Sequence, residues 1–356
     1  MLLIPPHKGR AATGNEDSRY SRYRHESCDD GWEPGDADPA ALATTVTVET
    51  ARRIISRNDS PDIPFNQSIN AYRGCEHGCI YCYARPTHAY LGLSSGLDFE
   101  SKLYAKADAA HLLITELRKR GYRCAPIAMG ANTDPYQPIE RHWRITRQIL
   151  EILAECRHPV TITSKAALIE RDLDLLARLA ADNLVQVQIS VTTLDPDLAR
   201  RLEPRASAPR RRLQAIETLS RAGIPVGVML APVIPVLTDG EMEAILAAAA
   251  QAGARYAGYQ FLRLPLEVAD LFAAWLQQHE PLKAEHVMNR IRDSRGGLAN
   301  DSRFGVRHSG TGAYADLLQQ RFRLGLKKAR LTQDSPALET GLFRKPVLVG
   351  EQLSLF

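Results

Sequence analysis

No stretch of this 356-residue chain approaches the roughly 18 consecutive apolar residues of a membrane span. The opening MLLIPPHKGR breaks too early for a secretory leader, so a cytoplasmic protein with no membrane partner is expected. Charge of one sign is also scarce. Lys and Arg number 45 against 41 Asp and Glu, a formal +4, which admits an anionic partner without being the footprint of a dedicated nucleic-acid binder. Cysteine is rarer still at six residues, and in a reducing compartment these are expected as thiols rather than disulfides. With 44% hydrophobic residues the chain can bury a full core, and one large α/β domain with terminal additions fits its length.

The few cysteines are unevenly spread. Cys75, Cys79 and Cys82 fall within GCEHGCIYCY, residues 74–83, directly after the strand-like SINAYRG. A C-x3-C-x2-C loop can hold three irons of an Fe–S cubane and leave the fourth without a protein ligand. The rival is zinc, completed by His77, His88 or a distant cysteine, although the paired knuckles usual for zinc are missing. Cys28 sits in a polar stretch and reads as an inert thiol, while Cys124 and Cys156 accompany core elements and read as packing.

Around this loop the chain is ordered by alternation. After TTVTVETARRII, strand-like runs at 125–132, 159–166, 184–193, 224–234 and 256–265 each precede an amphipathic run such as RITRQILEILAEC or RRRLQAIETLSRAG. Strands this apolar, each followed by a helix, predict a parallel sheet covered by helices. About six βα units suit a partial barrel or a doubly wound sheet, with the chemistry at the carboxyl ends of the strands. Residues 1–44 read as a disordered or loosely attached arm, 45–310 as the barrel domain, 311–331 as a basic helix and 332–356 as a flexible tail.

The three cysteines with Tyr81 before the last resemble the signature loop of the radical S-adenosylmethionine (SAM) superfamily. NTDPYQP, TSKAALIERDLDLL, ISVTTLD, LEPRASAPRRRLQAI and GVMLAPVIP resemble strand-end motifs of its spore photoproduct lyase-like branch. That resemblance, over about residues 45–325, implies a partial (β/α)6 TIM-type barrel and a [4Fe–4S] cluster on Cys75, Cys79 and Cys82. It further implies SAM on the open iron, a flavodoxin- or ferredoxin-type electron donor, and a 5′-deoxyadenosyl radical that abstracts hydrogen from a substrate. Carried over residue by residue, Tyr81, Thr133, Asp134, Lys165 and Ser190 are the expected SAM contacts. In bland terms Lys165 is a solvated lysine and Ser190 a helix cap. The match breaks where the branch has a hydrogen-returning cysteine, because Ala131 stands there. Cys124, at the far end of the same strand, is roughly 20 Å away at about 3.3 Å per residue. Thymine-dimer cleavage of that kind is therefore not expected, and Tyr72, Tyr83 and Tyr136 are the candidate hydrogen donors.

The last residues, Gln352, Leu353, Ser354, Leu355 and Phe356, resemble the pentapeptide by which bacterial repair and replication proteins bind the sliding clamp. Clamp docking would put the protein near DNA, with Arg321, Arg323, Lys327 and Lys328 of the basic helix able to meet phosphates. The same apolar residues could instead dock on their own domain, and the helix charges could form a solvated face. GTGAYA, ahead of that helix, reads as a turn rather than a dinucleotide site. Two functions are thus expected to compete: a radical SAM enzyme on an unidentified substrate, with nucleic acid in a repair setting the one hinted at, and a non-catalytic Fe–S or zinc adaptor on the clamp.

Overall fold

Six parallel strands carry the architecture. The computed structural model describes residues 7–22 and 42–347, so Cys28 and the clamp-like pentapeptide 352–356 lie outside the described residues. The main sheet runs, in spatial order, Tyr256–Phe261, Val226–Val233, Val185–Ser190, Val160–Ser164, Ile127–Met129, Gln67–Ile69 and Ile55–Arg57. Only Ile55–Arg57 is antiparallel to its neighbour. Consecutive strands are neighbours throughout, as helical crossovers between parallel strands require. The expected partial (β/α)6 barrel is therefore present.

The strand sequences explain how the sheet is both covered and hollow. In VQVQIS, Val185, Val187 and Ile189 are fully buried and face the helices Leu173–Ala181 and Pro209–Arg221. Gln186, Gln188 and Ser190 alternate onto the opposite face and line a cavity. Val160–Ser164 repeats the device, with Val160 and Ile162 buried and Thr161 and Thr163 on the cavity. The expectation of continuously apolar strands is corrected here: the alternation sets polar side chains among apolar ones such as Met229 and Phe261 on a hollow interior, where a closed barrel would have a packed core.

Both terminal expectations change over the described residues. Residues 7–22 are docked, because the backbone N–H groups of Ala11 and Ala12 donate to the Glu100 carboxylate at 3.1 and 3.0 Å and Arg10 donates to the Glu100 carbonyl at 2.6 Å. No apolar periodicity announces this, since a buried carboxylate does the holding. Residues 332–347 cross the amino-terminal end of the barrel rather than hanging as a linker. Asn183 donates to the Ala337 carbonyl, the Arg344 N–H to that of Cys156, and Phe343 lies on Tyr122 and His158. The basic helix Ala313–Ala329 lays Leu318, Phe322 and Leu326 on Met242–Gln251. Its Arg321 pairs with Glu243, while Arg323, Lys327 and Lys328 face solvent. Thr45–Val48 belongs to a small second sheet with Lys102–Ala105 and Tyr72–Arg73, beside the barrel. No helix among the described residues is long and apolar enough to cross a membrane.

Candidate functional site

The cysteine loop sits over the carboxyl ends of the strands, and one arginine shapes it. Arg85, fully buried, donates to the carbonyls of Cys79 (2.9 Å), Gly78 (3.0 Å), Ser95 and Gly96, and pairs with the equally buried Glu100. A planar guanidinium suits this role because its fixed fork of donors bridges several carbonyls at once. Gly78 has φ +66°, and a Cβ there would stand 2.7 Å from Glu100 Oε2. Its neighbour His77 turns its Nδ1 to Asp134 Oδ2 at 3.4 Å.

Cys75, Cys79 and Cys82 all line one cavity of about 590 Å³ at the centre of the strand ends. Burial pushes all three thiols up; the Asp134 charge and the other two thiols add to this at Cys75. A multi-iron cation would reverse that penalty. Among the described residues no three His, Cys, Asp or Glu groups are close enough to hold one metal ion. His77 is engaged with Asp134, and His88 Nε2 contacts the Lys102 carbonyl at 2.9 Å. The donor set thus fails for a tetrahedral zinc and fits a larger cluster reached by three thiolates with one corner free.

The expected SAM contacts converge on the same cavity, which Tyr81, Thr133, Asp134, Lys165 and Ser190 all line. Their polar atoms are mostly engaged with the protein. Asp134 accepts from Ser164 Oγ and the Lys165 and Tyr136 N–H groups. Burial opposes its charge, yet His77 and these donors hold it below the usual carboxylate range. Lys165 Nζ donates to Ser190 Oγ (2.8 Å), Thr192 Oγ1 (3.0 Å) and the Ala231 carbonyl (2.9 Å), and pairs with Glu203 at 3.1 Å. It stands 5.7 Å over the Tyr81 ring. Thr133 Oγ1 donates to the Tyr72 carbonyl.

Glu203 was not foreseen as a site residue. It is 2% exposed and accepts from Tyr81 Oη, Thr192 Oγ1 and the buried Arg212. Burial raises its pKa, but Arg212 and Lys165 overcome this and hold it far below the ordinary value. The signal was available in LEPRASAPRRRLQ, where a glutamate beside a proline precedes an arginine on the buried face of the next helix.

The three candidate hydrogen donors separate. Tyr72 donates to Glu140 within the core, and Tyr136 lies outside the cavity. Tyr83 lines the cavity and donates to the carbonyl of Ala131, with Arg263 stacked 4.6 Å from its ring centroid. Cys124 does not line the cavity.

These features define a cysteine-loop site on a partial barrel, and comparison with known proteins gives its class. The family model for the radical SAM superfamily matches residues 69–249. An uncharacterised protein of Mycobacterium tuberculosis is 36% identical over 276 residues, covering 76% of this chain and 77% of that protein. One from Methanocaldococcus jannaschii is 27% identical over 64% of this chain and 81% of its own. Spore photoproduct lyase structures superpose with a TM-score of 0.55 at 15% identity, over 80% of this chain and 79% of theirs. They include a variant with bound AdoMet and dinucleoside spore photoproduct. That likeness is one of fold. The chain belongs to the radical SAM superfamily, whose members use a [4Fe–4S] cluster and SAM and require a reductant.

Proposed function

We propose that this protein is a radical SAM enzyme in which Cys75, Cys79 and Cys82 hold the cluster. Tyr81, Thr133, Asp134, Lys165 and Ser190 form the wall on which SAM is seated. One observation carries the assignment of the loop: three thiols of one short loop line one cavity, with no fourth cysteine among the described residues that line it. When bound, the cluster and SAM supply a 5′-deoxyadenosyl radical for hydrogen abstraction. The chain's own part is to bind, orient and exclude water. Arg85 fixes the path of the loop. Glu203 fixes Lys165 and the Tyr81 hydroxyl, so a cation and a ring face are set beside Cys79 before any ligand arrives. Tyr83 is the tyrosine placed to return a hydrogen atom, since it alone of the three lines the cavity. Ala131 in place of a cysteine argues for a substrate other than that of spore photoproduct lyase.

Anaerobic reconstitution with iron and sulfide, reduction, and assay for 5′-deoxyadenosine from SAM tests the reading. Production by the native chain and its loss in Cys79→Ala are expected; a fully loaded protein that makes none refutes it. The clamp-like pentapeptide supports a setting on DNA. Titration of the sliding clamp with the full chain and with one lacking 352–356 checks this, and equal affinities would remove it.

A further inference from the structure

The wall of the cavity beside Tyr83 carries more positive charge than the described residues neutralise. Arg263 lines it, half-buried, with no carboxylate within ion-pair distance among the described residues. His308 lines the same wall with both ring nitrogens buried and without a hydrogen-bond partner, its nearest carboxylate oxygen being Asp62 Oδ2 at 3.9 Å. Behind them Arg295 is 1% exposed; it donates to the Leu262 carbonyl at 2.6 Å and leaves Nη1 buried and unpartnered. The carboxylate facing this group is Asp62, and Arg307 already engages it through Nε at 2.8 Å and through Nη2. Asp301 lies farther off and is held by Arg303 at 2.7 Å. Among the described residues two guanidinium charges, those of Arg263 and Arg295, have no direct counter-ion. Burial first, and then neighbouring arginines, draw Arg263 and His308 below their ordinary values and Arg295 to about 10.

Buried charge without a partner is costly, and a fold that keeps it gains when a ligand supplies the opposite charge. Arginine forks match the oxygens of a phosphate group, and an imidazole adds a donor. Deeper in the cavity, Thr161, Thr163, Gln188 and Gln260 present uncharged side chains with no hydrogen-bond partner among the described residues. We propose that Arg263 and His308, backed by Arg295, are a phosphate-binding subsite for the substrate. The substrate is then a phosphate ester whose neutral, hydrogen-bonding body points toward Gln188 and Gln260. Two uncompensated charges match the dianion of a phosphate monoester better than the single charge of a diester or a carboxylate. This rests on the reading of the cavity as the seat of the reaction.

The test is calorimetric titration of the full chain, anaerobic and cluster-loaded, with inorganic phosphate, dimethyl phosphate and acetate. A parallel titration uses SAM. Phosphate is expected to bind more tightly than the other two. Arg263→Gln and His308→Gln are each expected to weaken phosphate at least about tenfold, the loss of one charge-assisted contact. Arg263→Lys should restore part of the loss, and SAM affinity should be the same in all. Absence of phosphate binding, equal binding of acetate or dimethyl phosphate, or unchanged affinity in both Gln variants would overturn the proposal. A parallel fall in SAM affinity would overturn it too, by making the anion SAM's own carboxylate. Because phosphate binding is read without turnover, its failure leaves the deoxyadenosine assay informative. Failure of that assay likewise leaves the subsite measurable.

Discussion

Replacing Glu203 by Gln tests how the site is held. The substitution keeps shape and removes one charge from a centre where Lys165 pairs at 3.1 Å and Arg212 makes a direct contact. Glu203 and Arg212 are both buried, so the two cations would be left in low dielectric with no carboxylate between them. Breaking a buried pair in this way costs about 3–5 kcal/mol, against a total stability on the order of 5–15 kcal/mol. For a chain of this size a fall in Tm on the order of 5–10 °C follows. The sign with pH is fixed as well. The folded-state pKa of Glu203 lies below its unfolded value, so its contribution is full above about pH 5 and is lost as pH falls through the folded value. The difference between native and Glu203→Gln chains in urea unfolding should therefore be largest near neutrality and shrink on acidification. Cluster loading, read by absorbance after reconstitution, should fall with it, because the Tyr81 hydroxyl beside Cys79 loses its charged acceptor. A variant within about 1 kcal/mol of the native chain at pH 7, with full loading, would refute the argument that this carboxylate compensates both cations.

Two further outcomes are expected. Gly78→Ala puts a Cβ 2.7 Å from Glu100 Oε2 at a φ of +66°; left-handed strain of about 1–2 kcal/mol plus the contact should displace the loop, and iron content after reconstitution should drop severalfold while far-UV circular dichroism is kept. At the other end of the barrel, burial lowers the pKa of His158 to about 4. The folded state thus resists protonation that the unfolded state accepts, and stability should fall between about pH 6.5 and 4 by up to about 3 kcal/mol. A His158→Gln chain should lack that acid limb in denaturant titrations, and an identical limb would assign it elsewhere.

Legibility differed by the kind of force involved. Five of the six parallel strands were readable because apolar runs alternating with helices leave few arrangements that bury both faces; the sixth is Gln67–Ile69, whereas Thr45–Val48, which opens the pattern in the sequence, joins the second sheet. The cysteine loop was readable because its chemistry needs three thiolates at short spacing. Glu203, Arg212, Glu100 and Arg85 were not, since each works by closing a buried polar network across long separations; Arg10 and Glu100, for instance, meet 90 residues apart. A single sequence shows such residues as ordinary surface charges. The docking of 7–22 and 332–347 was hidden for the same reason, being made of individual hydrogen bonds rather than of an apolar face.

The one signal in plain view that the strand reading passed over is the alternation itself. VQVQIS and VTITS are apolar on average, and the average predicts a packed barrel. Their period of two, with Gln and Thr at every second place, predicts instead that the inner face needs hydrogen bonds. A buried Gln or Thr without a partner is destabilising; buried Gln186 meets this need by donating to the Pro336 carbonyl, whereas half-buried Gln188, Thr161 and Thr163 are left to whatever fills the cavity. Gln188 and Thr163, on neighbouring strands and both lining the cavity, are the positions at which this is tested. Substituting them with Leu and Val should stabilise the empty fold while closing it to its substrate. That opposite movement of stability and binding distinguishes a ligand-lined interior from a poorly packed core, in which the same changes would have no binding to remove.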